Sequence, residues 1–171
     1  MGHGKAIDGL TAGQLKELLA IYAKNWLAMD GVWFQSVEER FGMDEAMLHD
    51  ANAWRRFTVV EARRIKAFLG LPEQAGLDGL ERALALRFYA NINRDEARWE
   101  DGALCYRTLE CRVQQARLRK GMPLHPCKGV GLIEYSGFAA EIDRRIVTEC
   151  VSCHPDVTDP SCNCAWRFTL E

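Results

Sequence analysis

Glu149-Cys150-Val151-Ser152-Cys153-His154-Pro155, followed by Cys162-Asn163-Cys164-Ala165-Trp166 and preceded by His125-Pro126-Cys127, decides how the last third of this chain folds. Five of the seven cysteines lie in these three stretches, and two of them form a Cys-x-x-Cys pair. Such a pair is the usual device for aiming two thiolates at one point. Cys150 and Cys153 fit it, and Cys127 and Cys164 are placed to complete a four-thiolate site. Four thiolates in tetrahedral array leave no open position and suit a structural zinc. Cys162 competes with Cys164 for the fourth place. Buried free thiols are the plainer reading, because cysteine behaves as a small hydrophobe. A redox pair is disfavoured: a thioredoxin-like motif opens a helix after a strand, whereas Pro155 and Asp156 follow here.

Around these cysteines the pattern is that of strands. Asn163–Leu170 alternates Cys164, Trp166, Phe168 and Leu170 against Ala165, Arg167 and Thr169, and residues 145–151 are also strand-like. Asp101-Gly102, between residues 94–100 and 103–110, signals a type I′ hairpin. Pro126 suits the first position of a helix to about Ile142, with Cys127 in its first turn, where the helix N-terminus favours a thiolate. Residues 111–120 favour a helix, and Gly121 is a C-terminal stop.

The first half is helical. Thr11-Ala12-Gly13-Gln14 is a capping box opening a helix to about Met29, with Leu15, Leu18, Leu19, Tyr22 and Trp26 as its apolar stripe. Asp30-Gly31 is expected to stop it, with a short helix from Val32 to Phe41 beyond. Asp44 caps a long helix to Leu69, ended by Gly70 and Pro72. Asp78-Gly79-Leu80-Glu81 is a further capping box, opening a helix through Ala90. The expected fold is α+β, with N-terminal helices packed on a C-terminal antiparallel sheet. It forms a single domain over residues 1–171, helical in 1–92 and carrying the sheet and metal site in 93–171.

Composition sets further bounds. With 48 % hydrophobic residues, the 171-residue chain can bury a core. No run approaches the ~18 apolar residues of a membrane span, and residues 1–5 lack the apolar stretch of a signal peptide, so a cytoplasmic location is expected. In a reducing compartment, seven cysteines favour metal or free thiols over disulfides. A net charge of −2 leaves no footprint for nucleic acid. Locally, Arg112, Arg117, Arg119, Lys120 and Lys128 form a basic segment without an acid. It reads either as a solvated helix end or as a site for an anionic partner.

Pro126-Cys127-Lys128 through Glu134-Tyr135-Ser136-Gly137-Phe138, with Thr148-Glu149-Cys150, Cys153 and Cys164-Ala165-Trp166-x-Phe168, resembles an uncharacterised family of prokaryotic cytosolic proteins. Asn25-Trp26-Leu27 and Asp30-Gly31-Val32-Trp33-Phe34 extend the likeness over nearly the whole chain. More remotely, the last third resembles the 4-vinyl reductase domain, whose ending is a Cys at a helix start, then Glu-x-x-Cys, then Cys-x-Phe. Cys127, Cys150 in the place of that Glu, Cys153 and Cys164 with Trp166 occupy those positions, and the loop before Cys164 is longer. In phenol-sensing members these positions hold zinc beside a ligand pocket. The ending is also similar to that of the L-2-amino-thiazoline-4-carboxylic acid hydrolase family. These resemblances imply helices on an antiparallel sheet, often as a homodimer, around a small-molecule cavity.

The expected function is a zinc-stabilised domain that binds a small aromatic or heterocyclic ligand, with Trp33, Tyr106, Thr108 and Thr148 as pocket residues. The alternative is a hydrolase of a small cyclic amide or amidine. For that, Cys111 beside Arg112 is the candidate nucleophile and His49 and Glu61 are candidate acid/base groups, but no complete catalytic constellation is legible. A partner-binding subunit without a ligand is the third class.

Overall fold

The computed structural model describes residues 6–171; residues 1–5, on which the expectation about a signal peptide rests, lie outside the described residues. The order of elements is α1 (Ala12–Phe41), α2 (Met43–Leu69), α3 (Gly76–Leu84), β1 (Arg94–Glu100), β2 (Ala103–Glu110), α4 (Arg112–Arg119), α5 (Lys128–Ile142), β3 (Ile146–Cys153) and β4 (Cys164–Leu170). The strands form one antiparallel sheet in the order β1-β2-β4-β3. The expected α+β architecture is therefore present. None of the described helices is long and apolar enough to cross a membrane.

The capping box is formed: Gln14 N–H donates to Thr11 Oγ1 at 3.2 Å, and Thr11 N–H donates to Gln14 Oε1 at 2.9 Å. The helix it opens runs without a break through Asp30-Gly31 to Phe41, which corrects the expected stop there. The reason is tertiary. Leu27, Asp30, Gly31 and Phe34 all face one cavity, so the 3.6-residue pattern continues across the glycine. A second correction concerns Asp78, which lies inside α3 and does not cap it. That helix ends at Leu84, short of the expected Ala90, because Arg87 turns inward and is only 1 % exposed.

Asp101 (φ 51°) and Gly102 (φ 76°) adopt the left-handed pair that a type I′ turn requires, and Glu100 faces Ala103 across it. Leu104, Tyr106 and Thr108 of β2 lie opposite Phe168, Trp166 and Cys164 of β4, which lie opposite Thr148, Cys150 and Cys153 of β3. This face holds the buried apolar side chains, while the other carries Arg107, paired with Glu96 at 2.5 Å and with Asp159 at 2.7 Å. The core joins α2, α3 and α5 to the sheet through Ala62, Leu80, Leu84, Leu104, Phe138, Ile142, Trp166 and Phe168. Gly131 and Gly137 allow α5 close approach. A Cβ on Gly131 would stand 2.7 Å from the Trp166 ring, and one on Gly137 2.7 Å from Thr58 Cγ2.

Three strips run along α1, each displaced by one residue and so by about 100° around the axis. Ala23, Leu27, Asp30 and Phe34 face inward, and Ala23 is buried. Lys24, Ala28, Gly31 and Gln35 border a groove against α4. Tyr22, Trp26, Met29 and Trp33 are exposed.

Candidate functional site

A cavity of about 150 Å³ lies between α1, α2, α4, the start of α5 and the end of the sheet where β3 and β4 meet. Its geometry begins with a β-bulge. On a regular strand, residues three apart point to opposite faces, so Cys150 and Cys153 would be separated by the sheet. β3 shifts register between Cys150 and Ser152, leaving Val151 unmatched, and this returns Cys153 to the face of Cys150. Cys153 then sits directly opposite Cys164, with Thr108 next in the row.

Cys127 occupies the N-cap position of α5, which begins at Lys128, two residues later than the expected start at Pro126, so the cysteine stands at the cap and not inside the first turn. Lys128 N–H donates to His154 O at 3.0 Å, fastening the start of the helix to the residue after Cys153. Gln114 holds the approach from the other side: its Nε2 donates to His125 O at 2.8 Å and to Cys127 Sγ at 3.0 Å, and its Oε1 accepts from His125 N–H at 2.9 Å.

Cys127, Cys153 and Cys164 line the cavity together. The Cys153 thiol interacts with both of the others and holds the proton: its pKa is raised by the Cys127 and Cys164 sulfurs. Hydrogen bonding from Cys153 correspondingly lowers Cys164, and lowers Cys127 to about 5 against the effect of burial, with His125 assisting. Cys150 lies one row away beside Trp166 and interacts more weakly with Cys153. Cys162 is elsewhere, its Sγ 3.6 Å from Asp159 Oδ2. Thiolates suit a soft metal by donor type, but no three or more His, Cys, Asp or Glu side chains stand as a metal-binding group among the described residues.

Thr108 is the one expected pocket residue in the cavity wall. Tyr106 is buried in the core against Tyr135, at 6.1 Å between ring centres, and Thr148 lies further along the same sheet face. Trp33 is 70 % exposed on the outer strip of α1, because the unbroken helix carries it away from the cavity. Of the groups considered for catalysis, Cys111 does line the cavity, but burial pushes its thiol up to about 12, the wrong direction for a nucleophile. His49 is an exposed partner of Glu45 at 3.3 Å, and Glu61 is committed to Arg87 at 2.9 Å.

The wall also holds groups to which the sequence reading gave no role. His125 is 8 % exposed, its Nε2 is 3.4 Å from Asp50 Oδ2, and its Nδ1 has no hydrogen-bond partner. Burial alone would lower its pKa, but the Asp50 carboxylate and the Cys127 thiol raise it to about 9. The buried indole N–H of Trp166 is likewise unpartnered. Asp30 faces the cavity without an ion pair among the described residues, and burial, then Asp50, raises it to about 6. Glu134 reaches the wall while bound to Arg87. His125 had a legible signal in its place two residues before Cys127. Asp30 was concealed as a supposed helix stop.

No curated protein and no solved structure matches the chain. A family model does, over residues 8–170, and on that extent the chain belongs to the family of unknown function DUF6125.

Proposed function

We propose that this protein binds a small single-ring ligand in the cavity, next to a thiolate cluster that holds zinc. The observation that carries the reading is the meeting of Cys127, Cys153 and Cys164 in the wall of a half-open, largely apolar cavity. A cavity near 150 Å³ matches a benzene-sized molecule. Phe34, Trp54, Tyr89 and Tyr135 provide ring faces for it, and Asp30 offers an acceptor to a donor on the ring. Three neighbouring sulfurs, Cys153 buried and Cys127 and Cys164 half-buried, are costly as thiolates together, and a soft dication in place of their protons would stabilise them. Cys127, Cys153 and Cys164 would be its ligands, with Cys150 reaching from the adjacent row. The nearness of the Cys127 thiol to His125, whose imidazole pairs with Asp50 and leaves Nδ1 free, favours a second reading, a thiol hydrolase in which Cys127 replaces Cys111 as nucleophile.

Elemental analysis of protein purified without added metal, combined with alkylation by iodoacetamide, separates the two. The binding reading expects about one zinc per chain, lost in Cys153→Ser and Cys164→Ser and retained in Cys162→Ser. Metal-free protein whose Cys127 alkylates rapidly at neutral pH would overturn it in favour of the thiol enzyme.

A further inference from the structure

The basic segment between Cys111 and Lys128 has a place in the fold that the cavity does not use. Arg112, Arg119 and Lys120 meet Lys24 of α1 across a groove of about 270 Å³ that no carboxylate lines. Neighbouring Arg117 is already neutralised, donating to both oxygens of Glu38 at 2.7 Å. None of the four groove cations is ion-paired among the described residues. Lys120 Nζ donates to the neutral Gln35 Oε1 at 2.7 Å, and Arg112 Nη1 lies 3.4 Å from Gln115 Oε1. Four like charges around one concavity repel each other and create a positive potential that an anion relieves.

The groove adjoins the cavity, with Leu27, Gly31, Gln35, Arg112 and Ala116 bordering both. Polarity changes along this path, from Asp30 and Asp50 within to four cations without. We infer that the groove is an anion subsite, and that the ligand carries a carboxylate or phosphate arm lying in it while its ring fills the cavity. This rests on the cavity reading above.

Titration calorimetry with benzyl phosphate, benzoate, benzyl alcohol and inorganic phosphate tests it, using Lys24→Gln/Arg119→Gln, whose replaced side chains are exposed. Benzyl phosphate or benzoate should bind the native protein at least about tenfold more tightly than benzyl alcohol, by about 1.4 kcal/mol. Which anion gains more tells the phosphate from the carboxylate arm. The advantage should vanish in the double variant and weaken with salt. Equal affinity of all three ring compounds would overturn the anion subsite and leave the cavity standing. Binding of inorganic phosphate but of no ring compound would overturn the cavity reading, and with it the ring-and-arm ligand.

The outer strip of α1 independently carries a second inference. Leu15, Leu19, Tyr22, Trp26, Met29 and Trp33 recur at alternating intervals of four and three, the a/d repeat of a two-helix seam. All are exposed, Met29 by 69 % and Trp33 by 70 %, although Trp26 also stacks on Phe57 at 5.3 Å. The three aromatics leave about 350 Å² uncovered, at ~200 Å² each when fully exposed. With Leu15, Leu19 and Met29 the strip exposes roughly 600 Å², which is what one side contributes at the low end of stable interfaces, about 1,200 Å² in total. The spacing is symmetric about Lys24, so a reversed copy sets Leu15 against Trp33, Leu19 against Met29 and Tyr22 against Trp26. Such self-complementarity is what a twofold contact demands.

We infer that α1 is covered by the α1 of a second copy, running antiparallel. Sedimentation equilibrium should give a dimer for the native chain and a monomer with unchanged far-UV dichroism for Met29→Glu/Trp33→Glu. A native monomer throughout the micromolar range, or a dimer that survives both glutamates, would overturn it.

Discussion

Arg87 Nη2 lies 2.5 Å from Glu134 Oε1 on α5 while its Nε lies 2.9 Å from Glu61 Oε2 on α2, so one guanidinium joins the two helices that form the cavity's support. Phe138 and Tyr135 cover it, with ring centres 4.9 and 5.3 Å from the guanidinium carbon. Burial raises the Glu134 pKa against the pull of Arg87, so the carboxylate depends on its partner to stay charged. Arg87→Met should cost about 3–5 kcal/mol, because it strands two buried carboxylates. Adding Glu61→Gln and Glu134→Gln should recover part of that loss in urea denaturation. A change below ~1 kcal/mol for the single variant would mean that the network is not closed in solution.

Asp143 ends α5 and accepts from Gly76 N–H at 2.9 Å and from Arg145 Nη2 at 2.7 Å. Hydrogen bonding from Arg145 in particular holds its pKa well below the ordinary 3.8. A carboxylate lowered on folding stabilises above its unfolded pKa, and that contribution disappears as pH falls through its folded pKa. Asp143→Asn should therefore cost about 1–3 kcal/mol at neutral pH. The gap from the native protein should narrow in melts taken progressively below the ordinary Asp value. A gap independent of pH would exclude the ionic contribution.

How much of this was legible follows from how far each signal reaches along the chain. The Thr11 capping box and the Asp101-Gly102 turn are complete within a few residues, and both are formed. The row of Cys153 and Cys164 also follows from strand alternation, but only with the β3 bulge, which the sequence does not announce. Asp30-Gly31 reads locally as a stop, yet tertiary contacts on both sides keep α1 continuous. Trp33 was misplaced as a consequence. Arg87 reads as a surface cation in a helix, and nothing local tells that Glu61 and Glu134, 26 and 47 residues away, converge on it.

Gly131→Ala should displace the Trp166 indole from the cavity wall, since the new methyl would meet it at 2.7 Å. Overpacking of this kind costs about 1–3 kcal/mol. Gly129→Ala, with nothing within 4 Å of the added methyl, should be neutral or stabilise by about 0.5–1 kcal/mol. Near-UV dichroism and melting of the pair check this. Identical spectra for both variants would contradict the close helix–sheet contact.

Asp30 should make ligand binding depend on pH. With its pKa near 6, raised by burial and then by Asp50, it is mostly neutral at pH 5 and mostly charged at pH 7. A cationic single-ring probe such as benzylamine should therefore bind roughly tenfold more tightly at the higher pH. Asp30→Asn should remove that dependence while leaving neutral benzyl alcohol unaffected. Calorimetry across this interval decides it; a pH profile preserved in the variant would assign the titration to another group.

The unbroken course of α1 limits how the sequence can change. Because its three strips differ by one residue each, inserting or deleting a single residue between Ala23 and Asp30 would turn everything beyond it by about 100°. That would bring Trp33 to the position of Phe34 at the cavity, or send Asp30 out of it. Substitutions can adjust one strip while sparing the other two, but a change in length cannot. This helix is therefore free to vary in composition and fixed in register.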